Sequence, residues 1–418
     1  MTDVLDSNAR ASSLGNISPE EARVLDLIDA DEVIGLLQDL IRQRSDFPPG
    51  NTTAALDVVS KKLNEVKVEP AIYASKAHQP NLIAALGGPD GHPCLTYHSH
   101  IDTVPAGELD RWQMDPYGGI QLNDRVYGRG AGDDKGSVAA QVMAMVTLSR
   151  AKIDLRGKLQ LAVVADEESG GLQGTRYLRA EGHLRPDLLV VGEQTQNQVA
   201  ITERVTCGID LTVYGRAAHG AMPWNGDNAV LKAAKILTWL QKDLFPVLEA
   251  RRHPYLPPPT LNIGKIRGGI QWNIVPESCV IEMDRRLTPG ETREMAMQEI
   301  EQSIRKFSEQ VEPVEYRLQS EGDVAACIAT PDDDPFVLTA KDALADVCGE
   351  KRSLTGYVQT SDGRWFSKDG FPIILFGPSD PAVAHGPNEY VLVEQMIEAT
   401  RFLTLLAMRV LSKDFVSY

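Results

Sequence analysis

The sequence predicts an α/β protein: a mixed, mostly parallel sheet with helices on both faces, interrupted by an inserted α+β domain of βαββα-like order. Three observations carry this expectation. Short apolar runs recur at residues 95–97, 159–165, 188–191 and 373–376, bounded by Gly, Pro or charged residues and separated by helical patterns such as 137–150. From about Cys207 to Leu318 the order changes to a strand (209–214), a helix (228–240), two strands (around 261–266 and 280–287) and a helix (292–309). From about Pro335 the first pattern resumes, so residues 1–205 and 323–418 are expected to form one discontinuous domain around an insertion at 206–322.

Taken in order, about fifteen polar residues, expected to be mobile, precede Ser18-Pro19-Glu20-Glu21. That tetrapeptide reads as a helix start: a capping hydroxyl, a proline in the first turn, and carboxylates at the positive end of the helix dipole. Helices then run intermittently to about Val66. Within the insertion, the strict alternation over 209–214 turns one strand face to a core, and Pro257-Pro258-Pro259 marks a stiff loop.

With 418 residues, 43% hydrophobic and 24% charged, the chain has globular composition and exceeds one simple core, so two domains are expected. Its formal net charge of −16 repels phosphate backbones and anionic membrane surfaces, which excludes nucleic acid and membrane as expected partners. The N-terminus lacks the basic start and apolar stretch of a secretory signal, and there is no 18-residue apolar run; a cytoplasmic setting follows. The five cysteines are odd in number, widely spaced and without a CxxC pair, which predicts buried, reduced thiols.

Chemistry concentrates in loops after predicted strands, where ligands of open α/β sheets gather. In His98-Ser99-His100-Ile101-Asp102 one imidazole can bind a metal while a carboxylate orients it through the other ring nitrogen; which histidine does so is open. In Gly128-Arg129-Gly130-Ala131-Gly132-Asp133-Asp134-Lys135-Gly136 a flexible backbone ends in two carboxylates before a helix, and a carboxylate there could bridge two cations. The order Lys135-Gly136-Ser137 is not that of a phosphate loop, and no third glycine completes GxGxxG. Asp166-Glu167-Glu168-Ser169-Gly170-Gly171 sets three anions side by side, which repel unless a cation or proton compensates them. Two neighbours facing different ways let one ligate a metal and the other serve as general base. Gly192-Glu193 and His385-Gly386-Pro387-Asn388-Glu389 complete the set. Singly, each is what solvated loops and turns contain; it is the combination that carries weight.

In order and spacing, HxDTVP (100–105), GRGxxDxKG (128–136), DEESGG (166–171), GE (192–193) and HGPNE (385–389) resemble the M20 metallopeptidase family, over nearly the whole chain. This is the group of acetylornithine deacetylases, succinyl-diaminopimelate desuccinylases, aminoacylases and glutamate carboxypeptidases. The resemblance implies that Asp133 bridges two metals, with His100 and Glu193 completing one site and Glu168 and His385 the other. Asp102 would orient His100, Glu167 would be the general base, His98 would be a neighbour, and a cis peptide is expected near Asp133. Histidine and carboxylate ligands without thiolate fit Zn2+, two per subunit, with Co2+ or Mn2+ as alternatives. Water activated at the pair would lose its proton to Glu167 and attack the amide carbonyl, and Glu167 would return that proton to the departing amine.

In the insertion, His219-Gly220-Ala221-Met222-Pro223 with Gly226 and Asn228-Ala229 resembles the family's lid and dimerisation domain. That implies a homodimer through the lid, a domain closure, and stabilisation of the developing oxyanion by His219. Asn273 and Arg286 stand where the family contacts substrate; Arg285 is the alternative, and strand alternation sends the two arginines to opposite faces. Ser361, Asp362 and Arg364 resemble a TSDGR segment that lines the pocket of desuccinylase-like members. Gln194 in place of proline and Asp134 in place of methionine depart from the pattern without removing a ligand, and leave the subfamily open.

The expected function is a dinuclear metal-dependent hydrolase cleaving a linear amide, an N-acyl-amino-acid deacylase of the acetylornithine or succinyl-diaminopimelate type acting on a small acyl-amino-acid or peptide-like substrate. A metallo-dipeptidase or carboxypeptidase of the same family is the alternative. A catalytically silent metal-binding scaffold is the reading from another class, and it conflicts with the presence of Glu167 and all five candidate ligands.

Overall fold

A computed structural model describes residues 16–88, 91–320 and 322–411. The first fifteen residues, read above as mobile and without a secretory signal, lie outside the described residues. The chain forms two compact units: one contains the residues up to Ile201, Thr330–Thr355 and those from Ser361 on, the other Thr202–Ala329 with Gly356–Thr360.

The first unit is built on a mixed sheet in the order Ala71–Tyr73, Asn81–Leu86, Lys158–Val164, Cys94–His100, Leu188–Val191, Ile373–Leu375, Ala200–Glu203, Thr355–Tyr357. The four strands from Lys158–Val164 to Ile373–Leu375 are mutually parallel, and antiparallel pairs flank them. Residues 94–100 are buried without interruption, as a parallel strand covered on both faces requires. Parallel register is what assembles the site. His100 pairs with Val164, two residues before Asp166, and His98 pairs with Val191, two residues before Glu193. Three of the chemistry-bearing loops therefore leave the sheet at the same edge.

The fourth loop enters the helix Lys135–Ala151, whose residues 135–148 are all buried; a helix apolar on every side belongs to an interior. Val393–Val410 packs against it. At the N-terminal end, Ser18 closes a capping box: Ser18 Oγ accepts from Glu21 N at 3.3 Å and Glu21 Oε2 accepts from Ser18 N at 2.7 Å. A three-stranded antiparallel sheet, Tyr390–Leu392, Arg125–Tyr127 and Ile120–Leu122, pairs Tyr390 with Tyr127 and so brings residue 389 beside residue 128.

The second unit has an antiparallel sheet in the order Thr260–Gly268, Ser278–Leu287, Val205–Tyr214, Glu315–Gln319. Cys207, Ile209, Leu211 and Val213, the inward positions of one strand, join Ile236 and Leu240 of the helix Ala229–Asp243 and Ile300, Ile304 and Phe307 of Arg293–Gln310 in one core. Asn228 caps the first of these helices, its Oδ1 accepting from Val230 N and Leu231 N. Glu315–Gln319 extends the expected βαββα order by one strand. It is an edge strand in which Tyr316 and Leu318 alternate with polar residues and lie half-buried against the core.

All five cysteines are free; Cys94, Cys207 and Cys279 are buried as expected, whereas Cys327 and Cys348 are only half-buried. Burial pushes the thiols of Cys327 and Cys348 up to about 12, so both stay protonated. Among the described residues no helix is long and apolar enough to cross a membrane.

Candidate metal centre

Asp133 stands between two imidazoles, one on each carboxylate oxygen. His100 Nε2 lies 3.0 Å from Asp133 Oδ1, and His385 Nε2 lies 3.0 Å from Asp133 Oδ2 and 3.3 Å from Glu168 Oε1. Asp133, Glu168 and His385 offer ligand atoms that all lie within 4.8 Å of one another, a group that could hold a metal ion. Glu193 is buried, and its carboxyl feels the charges of Asp133, Asp134, Glu167 and His100. The Asp133-Asp134 peptide bond is cis.

Hydrogen bonding distinguishes the two histidines. His98 Nε2 meets Thr175 Oγ1 at 2.7 Å, and that hydroxyl gives its only proton to Asp362 Oδ2 at 2.5 Å, so it accepts from His98. Burial lowers the His98 pKa to about 4, which keeps the ring neutral and turned away from the cluster. The role expected of Asp102 is divided. Its main-chain carbonyl accepts from His100 Nδ1 at 3.0 Å while its carboxylate stands 3.6 Å off. That carboxylate instead accepts from the backbone N–H groups of Glu167 and Glu168, both at 3.2 Å, and so buttresses the loop bearing both glutamates.

Burial raises the pKa values of Glu167, Glu168 and Glu193, and takes Asp134 to about 8; Asp134 is fully buried. Burial also opposes ionisation of Asp133, but His100 and His385 outweigh it and hold that carboxyl below the usual range. Asp133 and Glu168 in turn raise His385 to about 10. Glu168 Oε1 is buried and accepts no hydrogen bond of good geometry, its ion-pair contact being His385 Nε2 at 3.3 Å. Crowded, desolvated carboxyls with an unsatisfied oxygen are what a divalent cation relieves, and an oxygen and nitrogen donor set without thiolate fits a borderline ion such as zinc.

Of the segment 361–364, Ser361 and Asp362 are buried and bind within the fold: Ser361 Oγ accepts from Gly363 N, and Asp362 Oδ1 from Trp365 Nε1. Arg364 is the member that reaches the cluster, its Nη1 3.4 Å from Glu167 Oε1.

In the second unit, exposed His219 accepts from Ala221 N at its Nδ1, 3.0 Å away, so the neutral ring carries its proton on Nε2. Gly220 N donates to Asn273 O at 2.7 Å, an approach that leaves no room for a Cβ: one at Gly220 would stand 2.8 Å from that oxygen. His219 and Asn273 thus share one corner, beside a cavity of about 580 Å³ lined in part by Gly220, Pro223, Asn228, Ile270 and Trp272. The two consecutive arginines do face opposite ways. Arg285 is buried against Glu291 at 2.6 Å; Arg286 is half-buried, 2.9 Å from Asp284 Oδ2. Arg204, which no motif singled out, lies near Arg286: burial and the Arg286 charge both lower its pKa. The pairing of Thr206 with Arg286 across two strands brings Arg204 to this place, where its Nε donates to Val358 O at 2.9 Å.

Comparison with known proteins adds the lineage. Over 379 residues the chain is 28% identical to the succinyl-diaminopimelate desuccinylase of Orientia tsutsugamushi (strain Boryong), covering 87% of this chain and 92% of that one. Over 350 residues it is 28% identical to the acetylornithine deacetylase of Yersinia pestis, covering 81% and 84%. Its fold matches that of the Bacillus subtilis YXEP protein, a dinuclear metal-binding peptidase from the M20 family, with a TM-score of 0.69 at 15% identity over 91% of this chain and 98% of that one. Residues 96–409, most of the sequence, match the peptidase family M20/M25/M40. The chain belongs to that family of metal-dependent hydrolases of amide bonds.

Proposed function

We propose that this chain is an N-acyl-amino-acid deacylase of the acetylornithine or succinyl-diaminopimelate type, and the observation that carries the reading is Asp133 held between His100 and His385 with Glu167 and Glu168 alongside. Two divalent ions, zinc first with cobalt or manganese as alternatives, held by His100, Asp133, Glu168, Glu193 and His385, would polarise the amide carbonyl and acidify water. Glu167 takes the proton of the attacking water, and as the C–N bond breaks it gives that proton to the amine nitrogen, leaving a carboxylate and a free amine. Asp102, through Glu167 N and Glu168 N, keeps the two glutamates in their separate roles. His219, with its proton on Nε2, is suited to donate to the developing oxyanion.

Arg286, half-buried with Asp284 2.9 Å away and Arg204 nearby, is the guanidinium offered to a substrate carboxylate, which an acylated amino acid brings. A dipeptide brings one too, so the peptidase reading remains the second. A homodimer through the second unit is supported by Trp272, Ile270 and Trp224, exposed by 97%, 85% and 74%, the first two directly after the edge strand Thr260–Gly268. Sedimentation at monomer mass would remove it. Free cysteines fit a reducing, cytoplasmic compartment.

The deciding experiment is amine release by the zinc- or cobalt-loaded protein from N-acetyl, N-succinyl and N-formyl amino acids set beside dipeptides. Preference for one acylated amino acid supports the deacylase reading; preference for dipeptides replaces it with the peptidase. In the same assay His219→Ala is expected to cut kcat by roughly 10²–10³ with metal content unchanged. Unaltered turnover would leave His219 a packing residue.

A further inference from the structure

A buried charge pair outside the proposed reaction ties two of the metal-bearing loops together. Arg129 and Glu389 are 2% and 0% exposed. The pairing of Tyr127 with Tyr390 sets them side by side, and Gly128 N donates to Glu389 O at 3.0 Å. Arg129 Nη1 pairs with Glu389 Oε2. The other carboxylate oxygen of Glu389 accepts from Gly132 N at 2.9 Å and Asp133 N at 3.1 Å. The other arm of the guanidinium, Nη2, donates to the carbonyls of His385 and Gly386, both at 3.2 Å. A Cβ at Gly132 would stand 2.5 Å from Ser379 Oγ and 3.6 Å from Glu389 Oε1, so the loop lies directly on the carboxylate. The main chain of Asp133 is thereby joined to that of His385 through a single ion pair.

This is a poor device for stability alone. Both charges are desolvated and Arg129 Nε is buried without a partner, whereas replacing such a pair by neutral groups is often neutral or stabilising. It is a good device for position: a planar fork holds a carboxylate with one nitrogen and two carbonyls with another in fixed geometry, which the single nitrogen on a lysine's flexible stem does not reproduce. We propose that Arg129 and Glu389 are positioning residues that set the separation of Asp133 from His385, and with it the affinity for the divalent ion those two residues share. The proposal rests on the reading of Asp133 and His385 as ligands.

The test is Co2+ binding to the metal-free full chain, followed by calorimetry and by the visible absorption of bound Co2+, in wild type, the double variant Arg129→Met/Glu389→Gln, and Arg129→Lys. The double variant removes both charges and is expected to unfold near the wild-type temperature when metal-free. Its Co2+ affinity is expected to fall about 10–100-fold, the usual effect of removing a group that orients a ligand. Arg129→Lys, which keeps the charge and loses the fork, is expected to show a smaller loss in the same direction. Wild-type Co2+ affinity in a folded double variant overturns the proposal. Should the double variant fail to fold, wild-type affinity in Arg129→Lys overturns it equally. Wild-type protein that takes up no Co2+ defeats the ligand assignment itself, a result distinct from either.

Discussion

Glu167→Gln is expected to lower kcat by at least about 10²–10⁴-fold, the range a positioned general base contributes, while metal content and fold stay those of the wild type. The amide matches the carboxyl in shape and leaves intact the hydrogen bond from Glu167 N to Asp102. What it loses is the capacity to accept a proton from water and return it to the amine. Burial raises the Glu167 pKa, and the nearby Arg364 guanidinium opposes that rise. Steady-state kinetics on the best substrate of the panel, with metal measured on the same sample, decides the matter. A variant that turns over at the wild-type rate would show that another group moves the proton.

Removal of the metal is the second large effect. Prolonged chelation is expected to abolish hydrolysis, and Zn2+ or Co2+ to restore it. The same treatment is expected to lower the unfolding temperature, because an ion bound by the native state alone stabilises it by about 4 kcal/mol when present at a thousand times its Kd. The structural reason is the crowding around Asp133: Glu168 and Glu193 are both pushed up by burial, and Asp133 is among the charges raising each of them further. Without a cation, only protons and the two imidazoles compensate that charge. Activity retained in demonstrably metal-free protein would sink the mechanism.

A catalytically silent homologue would require that the metal-loaded protein hydrolyse no amide at all. The geometry speaks against it, since His100, Asp133, Glu168 and His385 converge within short distances and Glu167 lies beside them. A scaffold released from catalysis has no need to keep a proton acceptor buried there.

Local patterns determined a large part of this protein. The apolar runs at 95–97, 159–165, 188–191 and 373–376 became the parallel centre of the sheet. Asn228 and Thr292, read as the starts of helical segments, are caps, and the alternation of Arg285 and Arg286 sends one inward and one outward. Such features are legible because they depend on periods of two or 3.6 residues and on side chains bonding their own neighbours. Glu315–Gln319 does carry an alternation, with Tyr316 and Leu318 on the core side, whereas the edge strand Ala71–Tyr73, two of its three positions exposed, was not legible. Nor was the assignment of His98 to Thr175 and Asp362, which depends on residues 77 and 187 positions apart from their partners. Asp102 lies next to His100, and whether its carbonyl or its carboxylate reaches the ring is a matter of loop geometry. Arg129 and Glu389, 260 residues apart, meet only because two short strands pair in one register. Motif order named the groups of the centre; strand register decided which of them touch, because a contact between distant residues is a property of the paired backbone and not of either segment alone.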